Sequence, residues 1–492
     1  MRALRCVALF ALLLTGGLPA QGPTPIRLTL GAALARADSA SETVGIARAG
    51  VLRARSDEIR ARSSYLPQLN GAATYTRTLA SQFSAFDGGT TDSIPAPTGC
   101  GRFLPNPSLP LGERLDSLER GLDCAANGSG FDFSNLPFGR PNTYNLMVSG
   151  SQVLFNARLG GQRRAAAAAR QRAEIALDAA RTAAVVEMTQ AYFDAQLAAR
   201  LLEIADSTLA QSGRAFEDTR LAREVGNAAE FDLLRATVTR DNQRPVVIQR
   251  RASRTLALLR LRQLLDLPAG TDIELVTPLS DTSAVPLPPF AVAAAGSDTA
   301  IDQRAPVREA DAALRAADAL LSSARGGRLP TLNVSGNYAR IAFPERVFSF
   351  DNFVTDAAVS VRLDVPIYTG GRTRADVMAA EAVRDEAALR LRQARELATR
   401  ESVDSRTVLE AAEAAWEASS GTAEQAARAF AIAEVRYREG ISTQTELSDS
   451  RLLLQQAEAN RAQAARDLQV ARIRAALLRD LPFAGVTVPG AY

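Results

Sequence analysis

The sequence contains neither histidine nor lysine, so all 57 of its basic side chains are arginine. Without histidine, the commonest general base and the commonest metal ligand are both missing. Tryptophan (1) and methionine (4) are scarce, and cysteine occurs only as Cys6, Cys100 and Cys124. There is no Cys/His cluster and no glycine-rich phosphate loop, so an enzyme, a metal centre and a bound cofactor are all disfavoured. The net charge of +3 leaves arginine balanced by 54 acids, which gives no basic surface for nucleic acid. Beyond the first twenty residues no run of about eighteen apolar residues exists, so no transmembrane helix is expected there. If this chain crosses a membrane, it must do so with strands.

What is present begins with a leader. Residues 1–20, MRALRCVALFALLLTGGLPA, place Arg2 and Arg5 before an apolar run that ends in small residues. That is the pattern of a secretory signal peptide, cleaved near Ala20. Cys6 precedes the apolar run, where a lipid-attachment cysteine would not stand. Cys100 and Cys124 share one Gly/Pro/Asn-rich stretch of an exported chain, so a disulfide between them is expected.

The remainder is written twice. YLPQLNGAATYTRT (65–78) matches RLPTLNVSGNYARI (328–341), pairing Pro67 with Pro330, Asn70 with Asn333, Tyr75 with Tyr338 and Arg77 with Arg340. VSGSQVLFNARLGGQRR (148–164) matches VSVRLDVPIYTGGRTRAD (359–376), and AREVGNAAEFDLLRA (222–236) is a weaker copy of YREGISTQTELSDSR (437–451). Each copy reads helix, strand, long loop, strand, very long helix, break, helix. The expected organisation is a first repeat over 21–267, a linker over 268–302, a second repeat over 303–482 and a tail over 483–492.

Helix is predicted over Arg158–Glu224 and Arg372–Arg438, where Ala, Arg, Glu, Gln and Leu dominate and proline is absent. Each would be a rod of roughly 100 Å. In the first rod Ile175, Ala179, Ala183, Val186, Phe193, Leu197, Leu201 and Ile204 form a narrow coiled-coil seam. Partner helices are expected over Glu230–Leu267, kinked at Pro245, and over Thr443–Leu481.

The strands alternate. Val359, Val361, Leu363 and Val365 oppose Ser360, Arg362 and Asp364, while Tyr144, Leu146 and Val148 oppose Asn145, Met147 and Ser149. Half-buried strands of a soluble sandwich would read this way, and so would membrane strands with a lipid face and a lumen face. More than half of the Phe, Tyr and Trp residues lie within 65–155 and 338–368, as interfacial girdles would place them. Four strands cannot close in a bilayer, because open edges leave backbone groups unpaired in hydrocarbon. The membrane reading therefore requires several copies of the chain.

LTLGAALARA, the paired LPQL and LPTL, PIYTGG, and the breaks at Gly226 and Gly440, in this duplicated order, resemble the TolC-like outer-membrane efflux channels. The likeness runs from about Leu28 to Pro482. It implies an α+β membrane protein: a long coiled-coil α-helical barrel in the periplasm, with four β-strands per chain contributing to a trimeric 12-stranded β-barrel. It further implies a homotrimer set in outer-membrane lipid, with the 268–302 linker at the equator and the 79–141 loop facing outside. The channel would be a passive exit duct, opened at its periplasmic tip when a periplasmic adaptor and an inner-membrane pump dock. A periplasmic adaptor or other coiled-coil linker is the competing reading, although an adaptor usually carries one hairpin rather than two.

Within that resemblance, Gly226 and Gly440 mark two hairpin turns at the tip, where the adaptor would contact the channel. Glu446 and Asp449 lie three apart, on one helical face, and would form two carboxylate rings across a narrow pore. Acids in a first helical turn are also favourable for the helix itself. Tyr437 and Asp232 match positions that link the inner and outer hairpins of the family. Ser442 stands where an arginine is frequent, leaving Arg438 as a substitute.

Overall fold

The computed structural model describes residues 26–79, 106–127, 140–280, 287, 300–344, 346–347, 349 and 352–483. The leader, the Cys100–Cys124 pairing, most of the 268–302 linker beyond Ser280 and the tail after Phe483 lie outside the described residues. In chain order the elements are β1 (Ile26–Leu28), α1 (Leu30–Ala40), α2 (Glu42–Ser63), β2 (Gln68–Arg77), α3 (Leu111–Asn127), β3 (Asn142–Phe155), α4 (Ala157–Glu224) and α5 (Glu230–Leu264). There follow β4 (Ile273–Leu275), α6 (Ala305–Gly326), β5 (Thr331–Ala342), β6 (Val354–Asp364), α7 (Arg372–Arg438) and α8 (Gln444–Ala476). Strand–strand–rod–turn–helix is thus repeated, as β2 to α5 and as β5 to α8. The chain divides into two compact units, residues 59–162 with 322–376, and residues 1–58 with 163–321 and 377–492.

The first of these holds an antiparallel sheet in the order β2-β3-β5-β6. Its register sets Tyr75 opposite Tyr144, Val148 opposite Tyr338, and Gly336 opposite Val359. Leu69, Tyr75, Leu146, Val148, Tyr338, Val359, Val361 and Leu363 therefore share one face, and all are exposed. The other face carries Asn70, Thr74, Asn145, Ser149, Ser335, Asn337, Ser360 and Arg362. Arg77, Asn142 and Arg340 interrupt the apolar face at the end nearest the loops, and Gln152 interrupts it near the other end. Alternation alone left open which face a core would cover; here the apolar face has no cover among the described residues. At Gly326 a Cβ would stand 2.8 Å from the Ala157 carbonyl carbon, so α6 and the start of α4 meet backbone to backbone.

In the other unit α4 and α7 supply the rods, starting within one residue of the expected positions. Ile175, Ala179, Val186, Phe193 and Ile204 of the seam are buried, while Ala183, Leu197 and Leu201 are only half-buried. Val185, Met188 and Tyr192, off the seam, are buried more completely than most of it. The physical reason is the parallel ribbon of β1 and β4, Ile26 opposite Ile273, which covers a second stripe of α4. Tyr192 Oη donates to Leu28 O at 3.0 Å and accepts from Thr277 N at 3.0 Å. Gln196 Nε2 donates to Thr277 O at 2.7 Å. Leu28, Leu34, Met188, Phe193, Leu261, Leu265, Ile473 and Leu477 close over this hub.

The structure departs from the sequence reading at four places. The 79–141 loop contains a helix, α3. The ribbon was not foreseen. Helix α5 runs through Pro245 but stops at Leu264, where Leu267 N donates to Arg262 O and Asp266 adopts a left-handed φ of 51°. Helix α8 stops at Ala476, short of Leu481, and a 3-10 turn follows. Among the described residues, no helix is long and apolar enough to cross a membrane.

Candidate functional site

The two long rods end in the same way. After α4, Asn227 N donates to Ala222 O at 2.7 Å and Gly226 N donates to Arg223 O at 2.9 Å. After α7, Ile441 N donates to Arg436 O at 2.8 Å and Gly440 N donates to Tyr437 O at 3.0 Å. Both are Schellman caps, which require a left-handed residue at the penultimate position. Gly226 at φ 81° and Gly440 at φ 71° supply it without a Cβ clash. The next helix then starts differently in each copy. Thr443 caps α8, its hydroxyl accepting from Glu446 N at 3.3 Å, whereas Ala229 gives α5 no side-chain cap. The Thr443-x-x-Glu446 spacing is that of a capping box, so Glu446 has a local reason for its place.

Between the hairpins lies a cleft of 1420 Å³, lined among others by Phe216, Asp232, Arg240, Tyr437, Gln444 and Arg451. On α8 its wall is Gln444, Leu447 and Arg451, spaced three and four apart along one face. Arg451 is 7% exposed and has no hydrogen bond or ion pair among the described residues. Burial holds its guanidinium below the ordinary arginine value. Ser442 Oγ and Gln444 Oε1, on the same wall, are also buried without partners. Across the cleft Arg240 stacks on the Phe216 ring at 4.1 Å, and its hydrogen bond to Asp241 holds that carboxyl below the usual range.

Asp232 and Tyr437, expected to form inter-hairpin links, are both brought to this cleft. Tyr437 Oη meets Thr219 Oγ1 of α4 at 3.1 Å, joining the two rods; Asp232 makes no hydrogen bond among the described residues. A second link runs from Arg235 on α5 to Thr445 Oγ1 on α8. Arg438 pairs with Glu434 of its own helix at 3.2 Å. Glu446 and Asp449 are exposed and lie outside the cleft lining, on the flank of α8 away from Arg451. Thr219, Arg235 and Arg451 were not singled out from the sequence. Arg451 carried a signal nonetheless, because it continues the buried i, i+3, i+7 stripe begun by Gln444 and Leu447.

The model of the outer membrane efflux protein family matches residues 125–266 and 296–478. No curated protein sequence matches the chain significantly. Among solved structures, the CmeC outer membrane channel of Campylobacter jejuni superposes with a TM-score of 0.71 at 14% identity, over 93% of this chain and 87% of its own. A membrane protein from Pseudomonas aeruginosa gives 0.69 at 21% identity, over 92% and 93%. The outer membrane protein VceC of Vibrio cholerae gives 0.67 at 17% identity, over 92% and 95%. These likenesses are of fold.

Proposed function

The chain belongs to the outer membrane efflux protein family, and on that premise we propose that three copies close into a passive exit duct of a tripartite export system. The observation that carries the reading is the sheet, with one face mostly apolar and exposed, the other polar, and edges at β2 and β6 that are unpaired among the described residues. Pairing β6 of one copy with β2 of the next would satisfy both edges and give twelve strands, the closure that hydrocarbon demands. The apolar face then meets outer-membrane lipid and the polar face lines the lumen. An adaptor reading fits poorly, since an adaptor has no use for an uncovered apolar sheet face. Detergent extracts of the outer-membrane fraction should contain particles of three chain masses. Monomers in a detergent-free soluble fraction would sink the proposal.

The periplasmic tip is the proposed gate, with Gly226 and Gly440 presenting their turns to a periplasmic adaptor that in turn contacts an inner-membrane pump. Glu446 and Asp449, exposed on one flank of α8, are proposed to project into the pore as two carboxylate rings. Rings of like charge in a narrow passage favour cations. Tyr437 with Thr219, and Arg235 with Thr445, hold the hairpins together until docking, with Asp232 beside them in the cleft. In planar bilayers, Glu446→Gln with Asp449→Asn should lower the preference for cations over anions. Unchanged selectivity would remove these carboxylates from the pore.

A further inference from the structure

The unforeseen helix α3 raises its own question. It lies between β2 and β3, at the end of the sheet away from the rods, because α2 enters β2 at Gln68 and α4 leaves β3 at Phe155. Leu111, Leu115, Leu118 and Leu122 are 73%, 60%, 44% and 62% exposed, and they follow one another at intervals of four, three and four. That is the a/d spacing of a coiled coil, on a helix whose apolar face nothing covers among the described residues. With Leu115 and Leu122 at a and Leu111 and Leu118 at d, Arg114 falls at g and Glu119 at e.

In a parallel coiled coil, g of one helix meets e of the next heptad on its neighbour, five residues on. Arg114 and Glu119 are that pair, with opposite charges, and neither has a partner among the described residues. They cannot serve each other within one helix, since five residues separate them by more than a turn. We infer that α3 is a self-association surface, whose partners are the α3 helices of the two other copies, packed as a parallel three-helix bundle. The inference rests on the trimer proposed above. Rotational symmetry about the channel axis runs the three copies in the same direction, as the g–e pairing needs.

The reach is sufficient. Asn127 and Asn142 are fifteen residues apart, about 50 Å when extended, whereas the wall of a twelve-stranded barrel stands only about 12 Å from its axis. Tethering to one barrel raises the effective concentration, so a helix too short to associate when free can do so here. The competing occupant is the outer leaflet. A helix lying on lipid wants Lys and Arg along its polar face. This one carries Glu113, Asp116, Glu119 and Asp123 against Arg114 and Arg120, an acidic face.

The absence of lysine makes the test clean, because Arg114→Lys introduces the chain's only side-chain amine. Full-length Arg114→Lys protein, extracted in detergent and shown to have trimeric mass, is treated with a carbodiimide. Amide bonds to Glu119 of a neighbour should give covalent dimers and trimers on a denaturing gel. Arg114→Lys with Glu119→Gln should lose them, and Arg120→Lys, on the outward side, should give none. Trimeric particles that yield only monomer bands, or that cross-link equally through Arg120→Lys, would overturn the bundle while leaving the trimer standing. Particles of monomeric mass would instead remove the trimer, and the bundle with it. In a Cys100→Ser, Cys124→Ser chain, a fluorophore at Leu118→Cys quenched by brominated lipid would place α3 on the leaflet and overturn the bundle likewise.

Discussion

The hub and the tip share helices α4, α5 and α8, yet their polar groups fare differently. At the hub, the Tyr192 hydroxyl makes two hydrogen bonds at 3.0 Å to the ribbon and its segment, inside a shell of Leu, Met and Phe. At the tip, Ser442 Oγ and Gln444 Oε1 are buried without partners among the described residues, and the largely buried Arg451 turns an unpaired guanidinium toward an open cleft. A buried polar group left unpaired costs free energy that a paired one does not. The hub is therefore the fixed part of the helical unit, and the tip is the part that gains when something new arrives. The gate proposed for the tip needs that asymmetry.

Emptying the hub should have the largest effect. Tyr192→Ala removes a fully buried ring together with both ribbon bonds, and should destabilise the helical unit by about 3–5 kcal/mol. Thermal unfolding of the detergent-solubilised protein would register it, with amides of α1 and β4 losing protection against hydrogen exchange. At the tip the sign reverses. Arg451→Met exchanges a largely buried arginine, without a partner among the described residues, for an apolar chain of similar length, and should stabilise the hairpin by about 1 kcal/mol. Slower hydrogen exchange across Gln444–Arg451 is the expected reading, and faster exchange would show that the guanidinium has a partner in the assembled channel.

Smaller effects are expected at the turn and on α6. Gly440→Ala forces a Cβ into a left-handed cap at a cost of about 1 kcal/mol. The loss should appear as raised hydrogen exchange confined to the α7–α8 turn, with the hub unchanged. The smallest expected effect is electrostatic and belongs to neither region. Glu309 on α6 has its carboxyl pushed above the ordinary glutamate value by burial, an effect that Arg172 and Arg308 only partly offset. The folded chain thus holds this proton more tightly than the unfolded chain, and stability falls as pH rises through the interval between the two values. Glu309→Gln should raise the melting temperature slightly at neutral pH, and the gain should vanish below about pH 4.

Much of this architecture was legible because the informative residues are local. The rods follow from proline-free runs of strong helix formers, and both hairpin turns from a glycine at the single position where a Schellman cap needs one. The sheet faces follow from alternation, although only the register shows Leu146 and Val359 on the same side. What stayed hidden depends on distance along the chain. The ribbon joins three-residue strands nearly 250 positions apart, too short to alternate recognisably and too far apart to pair by turn chemistry. Burial of Arg451 depends on the opposing hairpin, and its place on the stripe of Gln444 and Leu447 was the one local hint of it. Helix α3 was within reach, since its leucines stand at coiled-coil spacing, but the surrounding Gly, Pro and Asn suggested a loop throughout.

The hub core draws on Leu28 and Leu34 near one end of the chain, on Met188 and Leu261 in the middle, and on Ile473 and Leu477 near the other end. Contacts of such sequence separation form late, after the entropy of closing very long loops has been met. A chain crossing the inner membrane with its amino terminus leading can therefore build its local helices in transit, but cannot lock them. The order of arrival acts as a timer: residue 477 must emerge before residue 28 has its full set of neighbours.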